Sequence, residues 1–154
     1  LCHALSDNGY SETAYDLLLQ TDYPSWLYSV TKGATTIWEH WNGVKPDGSF
    51  WSDDMNSYNH YAYGAVVDWM YANVAGIQYD EECPGYKHII IKPITTDKLD
   101  YAQASIKTVY GVIKSGWKRE NGKITYSVTI PVNTRATVII NNNAYQIGSG
   151  EYTF

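Results

Sequence analysis

The sequence predicts an α+β chain in two segments, short helices first and then a small antiparallel β-sandwich. Three observations carry that prediction. Apolar residues recur at helical spacing from residue 1 to about 77. The period then falls to two, most clearly in "KITYSVTIP". Between them, "GIQYDEECPGYKH" (76–88) has the composition of a linker, with acidic residues followed by Pro84-Gly85. The division is therefore set at 1–78 and 79–154.

In the first segment, Leu1, Ala4 and Leu5 follow helical spacing, and Asn8-Gly9 supplies a stop. A chain that opens inside a helix, with no initiator Met, basic leader or apolar leader, reads as a fragment of something longer. Ser11 is the candidate N-cap of "SETAYDLLLQT", in which Ala14, Leu17 and Leu18 make one apolar face. Asp22, or Ser25 after Pro24, starts a short helix through Val30 that Lys32-Gly33 stops. Residues 34–55 read as irregular around the turn Pro46-Asp47-Gly48. A long helix is expected from near Asn59 to Ala75, with Ala62, Ala65, Val66, Trp69 and Met70 as its buried stripe and Gly76 as its end. These helices are too few to close around a core. They leave apolar faces for a missing partner to cover.

In the second segment "HIIIKP" is a short, fully apolar strand. Ile113, Ser115 and Trp117 mark another, joined by the Asn121-Gly122 turn to one whose Ile124, Tyr126, Val128 and Ile130 face one way. "RATVIIN", a turn at Asn141 to Asn143, "AYQI" and "EYTF" complete the set. This segment can bury a core of its own.

Composition removes several classes of function. A net charge of −5 argues against nucleic acid, which demands a dense Lys/Arg surface. No apolar run approaches the roughly 20 residues of a membrane span. Cys2 and Cys83 match no metal-ligand spacing, and a disulfide between them has no support. No phosphate loop, dinucleotide fingerprint, nucleophile elbow or zinc-helix motif is present. Tyr (15) and Trp (6) far outnumber Phe (2), which favours side chains with a flat apolar face and a polar tip. Such residues suit sugars, and they also fill sandwich cores.

Glu39 is the first candidate for chemistry. In "ATTIWEHWNG" it stands between Trp38 and Trp41 and beside His40. Aromatic neighbours strip water from a carboxylate, which is one way a carboxylate becomes useful as an acid or base near neutral pH. The plainer alternative is a glutamate that passes two core tryptophans on its way to solvent. "MNSYNHYAYG" (55–64) is the second candidate. It sets Asn56, Asn59 and His60 at or just before a helix start, where they either contact hydroxyl groups or cap the helix, capping being favoured for Ser57. "GSFWSDDM" places Phe50 and Trp51 next to Asp53 and Asp54, whose plainest role is to solvate or cap a loop.

Taken together, "YPSWLYSVTKGATTIWEHWNG", "MNSYNHYAYGAVVDWMY" and "AGIQYDEECPGYKHIIIKP" closely resemble the C-terminal part of bacterial α-L-rhamnosidases. The likeness continues through the strands that follow and covers nearly the whole chain. The resemblance implies the last helices of an (α/α)6 barrel followed by a terminal β-sandwich, from an inverting glycoside hydrolase. It implies that Glu39, in "TTIWE", is the general base that activates water. It implies that His60, in "NHYAYG", contacts the sugar, with Trp38, Trp41 and Trp51 as wall or stacking residues. No cofactor or metal is implied for the acid–base step, and the partners implied are a rhamnoside substrate and the rest of the barrel.

One departure matters. Family members carry the general acid in a D-x-x-x-W-x-x-E-like segment well upstream, and this chain has none. Nothing in their context makes Asp53, Asp54 or Asp68 a stand-in. The chain is therefore expected to be inactive alone, and a periplasmic or secreted parent is favoured over a cytoplasmic one. The alternative is a carbohydrate-binding or interaction module that does no chemistry.

Overall fold

Three short helices open the chain: α1 (Cys2–Asp7), α2 (Ser11–Leu19) and α3 (Trp26–Thr31). Glycine explains two of their ends. After α1, Gly9 takes φ +84° and the Tyr10 and Gly9 N–H groups return to the Leu5 and Ser6 carbonyls. After α3, Gly33 takes φ +83° while Ala34 and Gly33 return to Ser29 and Val30. Both are left-handed caps that satisfy the last carbonyls of a helix. At the start of α3 the Ser25 side chain accepts the Tyr28 N–H at 3.0 Å, so Ser25, not Asp22, is the cap.

The computed structural model describes residues 1–154 and divides them into two compact units, Leu1–Val67 and Asp68–Phe154. In the first unit α1 packs on α2 and α2 on α3. Two details differ from the expected pattern. Ser11 is the first helical residue, because the α1 cap delivers the chain directly to Tyr10, whose carbonyl accepts the Ala14 N–H. The buried face of α2 is Ala14, Tyr15 and Leu18, with Leu17 only half-buried. Burial, with Glu12 nearby, pushes the Tyr15 phenol well above its ordinary range. In α1 it is Cys2 that is buried, while Leu1 and Ala4 are exposed.

The expected long helix from Asn59 is shorter and irregular. It begins as a 3₁₀ turn (Ala62–Ala65), becomes α4 (Val66–Trp69) and widens to a π turn (Met70–Val74). A stripe drawn at 3.6 residues per turn cannot survive that change of pitch. Trp69 is buried, whereas Ala62, Ala65 and Met70 are exposed and Val66 is half-buried.

The second unit holds eight strands: β1 (Ile77–Tyr79), β2 (His88–Ile91), β3 (Tyr101–Thr108), β4 (Gly111–Glu120), β5 (Lys123–Ile130), β6 (Arg135–Ile140), β7 (Asn143–Ile147) and β8 (Gly150–Thr153). They form two four-stranded sheets, ordered β1-β2-β6-β7 and β3-β4-β5-β8. Their inner faces share one core that includes Ile89, Ile91, Ile113, Trp117, Val128 and Val138. The pairing is antiparallel except between β2 and β6, which run parallel with Ile89 opposite Ala136. The sandwich is antiparallel-rich, as expected, and this pair is its one parallel ladder. The chain leaves the first sheet after β2, builds β3, β4 and β5, and returns as β6 on the same heading.

Asn121 (φ 50°) and Gly122 (φ 76°) form the expected tight turn between Glu120 and Lys123. Ile140 pairs with Asn143, so the next turn is Asn141-Asn142 and Asn143 already belongs to β7. Two strands carried no clear signal. β1 lies within the stretch read as linker, and β3 alternates only between exposed and half-buried positions. Cys2 and Cys83 are both free thiols. No helix is long and apolar enough to cross a membrane.

Candidate active site

Residues 36–39 and 57–60 lie alongside each other without forming a regular strand pair. The Glu39 N–H donates to the Ser57 carbonyl at 2.9 Å, and the His60 N–H donates to the Ile37 carbonyl at 2.8 Å. The Thr36 hydroxyl donates to the Tyr58 carbonyl. Two motifs separated by about twenty residues in sequence are thus laced together by their backbones. At the centre, the Ser57 N–H donates to Glu39 Oε2 at 3.0 Å. Glu39 is half-buried, so one of its oxygens is held while the side chain still meets solvent.

The aromatic residues divide into support and surface. Trp38 is buried, 7% exposed, and meets the Tyr58 ring edge-on at 5.4 Å. Trp41 lies face to face with Tyr63 at 3.7 Å and edge-on to Trp26 at 5.3 Å. Trp26 Nε1 donates to the Tyr63 carbonyl at 2.8 Å, which ties α3 to the same cluster. A narrow crevice runs among Trp26, Ile37, Trp41 and Tyr63. Trp51 stacks on His40 at 3.6 Å and remains 42% exposed. His60 is exposed.

The loop carrying Trp51 leaves Val44, turns at Pro46-Asp47-Gly48 and returns at Phe50. Lys45 and Ser49 hydrogen-bond across that turn, and Asp47 accepts both the N–H and the hydroxyl of Ser49. Those two bonds hold the Asp47 carboxyl below its ordinary range. Asp53 and Asp54 are exposed beyond Trp51, where Ser52 Oγ accepts the Asp54 and Met55 N–H groups.

The capping reading of residues 56–59 does not hold. The helix starts at Ala62 behind Tyr61, with no side-chain cap. Ser57 Oγ accepts from Asn59 N–H two residues on, which stabilises a bend. Asn56 Nδ2 instead donates to the Gly43 carbonyl and to Tyr58 Oη, both at 3.0 Å. Tyr58 and Gly43 are the site residues that sequence reasoning missed. No local spacing announces a hydroxyl reaching back 15 residues to a carbonyl.

Residues 1–74 match the model of the bacterial alpha-L-rhamnosidase 6 hairpin glycosidase domain, and residues 76–154 match that of the bacterial alpha-L-rhamnosidase C-terminal domain. The chain belongs to the bacterial α-L-rhamnosidase family. It is 41% identical to an alpha-L-rhamnosidase of Streptomyces avermitilis over 91% of its own length and 13% of that relative's. The crystal structure of a Streptomyces avermitilis alpha-L-rhamnosidase complexed with L-rhamnose is similar over 99% of this chain and 17% of that one, with TM-score 0.90 and 35% identity. A native α-L-rhamnosidase from Aspergillus terreus is similar over the whole of this chain and 18% of its own, with TM-score 0.92 and 35% identity. The chain thus spans less than a fifth of each of these α-L-rhamnosidases. Helices followed by two antiparallel-rich sheets are shared with the matched region of those structures, which bears out the expected fold class.

Proposed function

We propose that these residues are the C-terminal portion of an inverting α-L-rhamnosidase in which Glu39 is the general base. One observation supports this above the others: a half-buried carboxylate fixed by a backbone N–H, with His60 exposed in the facing segment and Trp51 exposed in the loop between the two. A base for hydrolysis must accept a proton from water and hold one orientation while doing so. The Ser57 N–H engages Oε2 and leaves Oε1 for the attacking water. As water adds to the anomeric carbon, its proton passes to Glu39 while the glycosidic bond breaks on the opposite face.

The leaving oxygen needs its own proton. In inverting enzymes the second carboxyl stands about 6.5–9.5 Å from the first. Asp53 and Asp54 lie exposed in the Trp51 loop, and we assign the acid to none of the carboxylates of residues 1–154. In this reading the parent's barrel continues outside these residues, with the barrel-derived part ending near residue 78. Trp51 offers a flat face for a sugar ring and His60 a hydrogen-bonding edge. Trp38 and Trp41 act as wall residues behind them, holding the tyrosines.

The experiment follows the first sugar released from an aryl α-L-rhamnoside by the longer polypeptide, using proton NMR. Initial appearance of the β anomer supports the proposal. Initial appearance of the α anomer means retention, and would remove Glu39 from its role as base. The 154-residue chain assayed alone is expected to give no turnover.

A further inference from the structure

We infer that the Gly43 carbonyl is a positioning hub that fixes both the base and the exposed aromatic wall, with Tyr58 and Asn56 as positioning residues. The inference rests on the reading of Glu39 as base. Three donors converge on that one oxygen: Tyr58 Oη at 2.9 Å, Asn56 Nδ2 at 3.0 Å and the Trp51 N–H at 3.0 Å. Asn56 Nδ2 also donates to Tyr58 Oη at 3.0 Å, closing a three-membered knot. Because a carbonyl only accepts, the Asn56 amide has one orientation there. Its Oδ1 is buried without a partner.

The two residues that grip Gly43 are the sequence neighbours of Ser57 on either side. The peptide that donates to Glu39 is therefore clamped at both ends. The Tyr58 ring is further held edge-on by Trp38, and its carbonyl takes the Thr36 hydroxyl from the base-bearing segment. Glycine leaves room at position 43 for both rings. A Cβ there meets the Trp38 ring at 3.2 Å and the Tyr58 ring at 3.3 Å. The Trp51 N–H on the same oxygen means that the ring stacked on His40 is referenced to the same point as the carboxylate. Three donors on one carbonyl restrict the peptide that carries them, and a fixed orientation is what a base needs to hold its geometry through the reaction.

The test uses the longer polypeptide that carries these residues, with an aryl α-L-rhamnoside as substrate. Tyr58→Phe keeps the ring and removes the hydroxyl. The expected result is a fall in kcat of about 10-fold with KM unchanged, since one net hydrogen bond of orientation is lost. Unchanged kcat, or a rise in KM with kcat preserved, overturns the inference. If Tyr58→Phe fails to fold by circular dichroism, the same split is read on Asn56→Ser. Glu39→Gln is run beside them. Full activity in Glu39→Gln removes the base assignment, whereas an inactive Glu39→Gln with a fully active Tyr58→Phe removes only the hub.

Discussion

Glu39 and Ser57 are joined twice: the Ser57 N–H reaches the Glu39 carboxylate at 3.0 Å, and the Glu39 N–H reaches the Ser57 carbonyl at 2.9 Å. A side chain bonded to the same residue that its own backbone grips has little freedom to rotate. Ser57→Pro removes the donor and leaves the carbonyl. We expect kcat of the longer polypeptide to fall by about 10² or more while the fold survives, because position 57 lies in an irregular stretch. Steady-state kinetics beside circular dichroism checks this.

Gly76 sits at φ +80°, and a Cβ there would lie 2.2 Å from the Pro93 nitrogen and 2.6 Å from the Lys92 carbonyl carbon. Neither neighbour is the loose end of a side chain. The Lys92 N–H also donates to the Gly76 carbonyl at 2.8 Å, so the two segments cannot separate cheaply. Gly76→Ala combines left-handed strain with backbone overlap and is expected to cost about 3 kcal/mol or more. Urea unfolding followed by tryptophan fluorescence measures it, and a loss below about 1 kcal/mol is the contrary result.

Trp117 is buried and its Nε1 donates to the Val74 carbonyl at 2.8 Å, while Ser115 Oγ donates to the Ala75 carbonyl at 2.6 Å. These bonds satisfy the carbonyls where the π turn ends. Trp117→Phe strands one acceptor and opens space in the core, for an expected loss of about 2–4 kcal/mol. Ser115→Ala strands the other with little change of volume and should cost about 1–3 kcal/mol. Equal losses in both variants would mean that the ring's volume contributes nothing.

Asp80 contributes a pH dependence on the acid side of the second unit. Its carboxylate accepts from His88 Nδ1 at 2.7 Å and from the Glu82 N–H at 3.0 Å, and those bonds hold its carboxyl below the ordinary 3.8. His88 Nε2 continues to the Thr137 hydroxyl at 2.9 Å, linking β2 to β6. A depressed carboxyl stabilises the fold above its unfolded value. That stability is lost as pH falls from about 3.8 through the lower folded value. Asp80→Asn is therefore expected to be less stable than the native chain at pH 6 and to converge with it near pH 2. A gap that persists unchanged at low pH would assign the difference to packing.

How much was legible follows from the kind of signal each element needs. Ser25, Gly9, Gly33 and Asn121-Gly122 act on their immediate neighbours, and their effects were readable from single residues. The alternation of β5 was readable because one face is buried along its whole length. β3 has no such contrast, and β1 is three residues long, so neither stands out from its surroundings. The stripe of the composite helix was misjudged because a 3₁₀ turn and a π turn break the assumed period. At the candidate site, Glu39, His60 and the tryptophans were picked out by residue type and motif likeness. The hub at Gly43 was not, because Asn56 and Tyr58 reach it across 13 and 15 residues of irregular chain.

The most direct test of the account is the turnover of an aryl α-L-rhamnoside by the longer polypeptide and by its Glu39→Gln variant. Glutamine keeps the size of the side chain and removes its capacity to take a proton. We predict that kcat falls by about 10²–10⁴ while KM stays within a few-fold, the loss expected when a general base is removed. A Glu39→Gln enzyme with native kcat would contradict the assignment of Glu39 as the base.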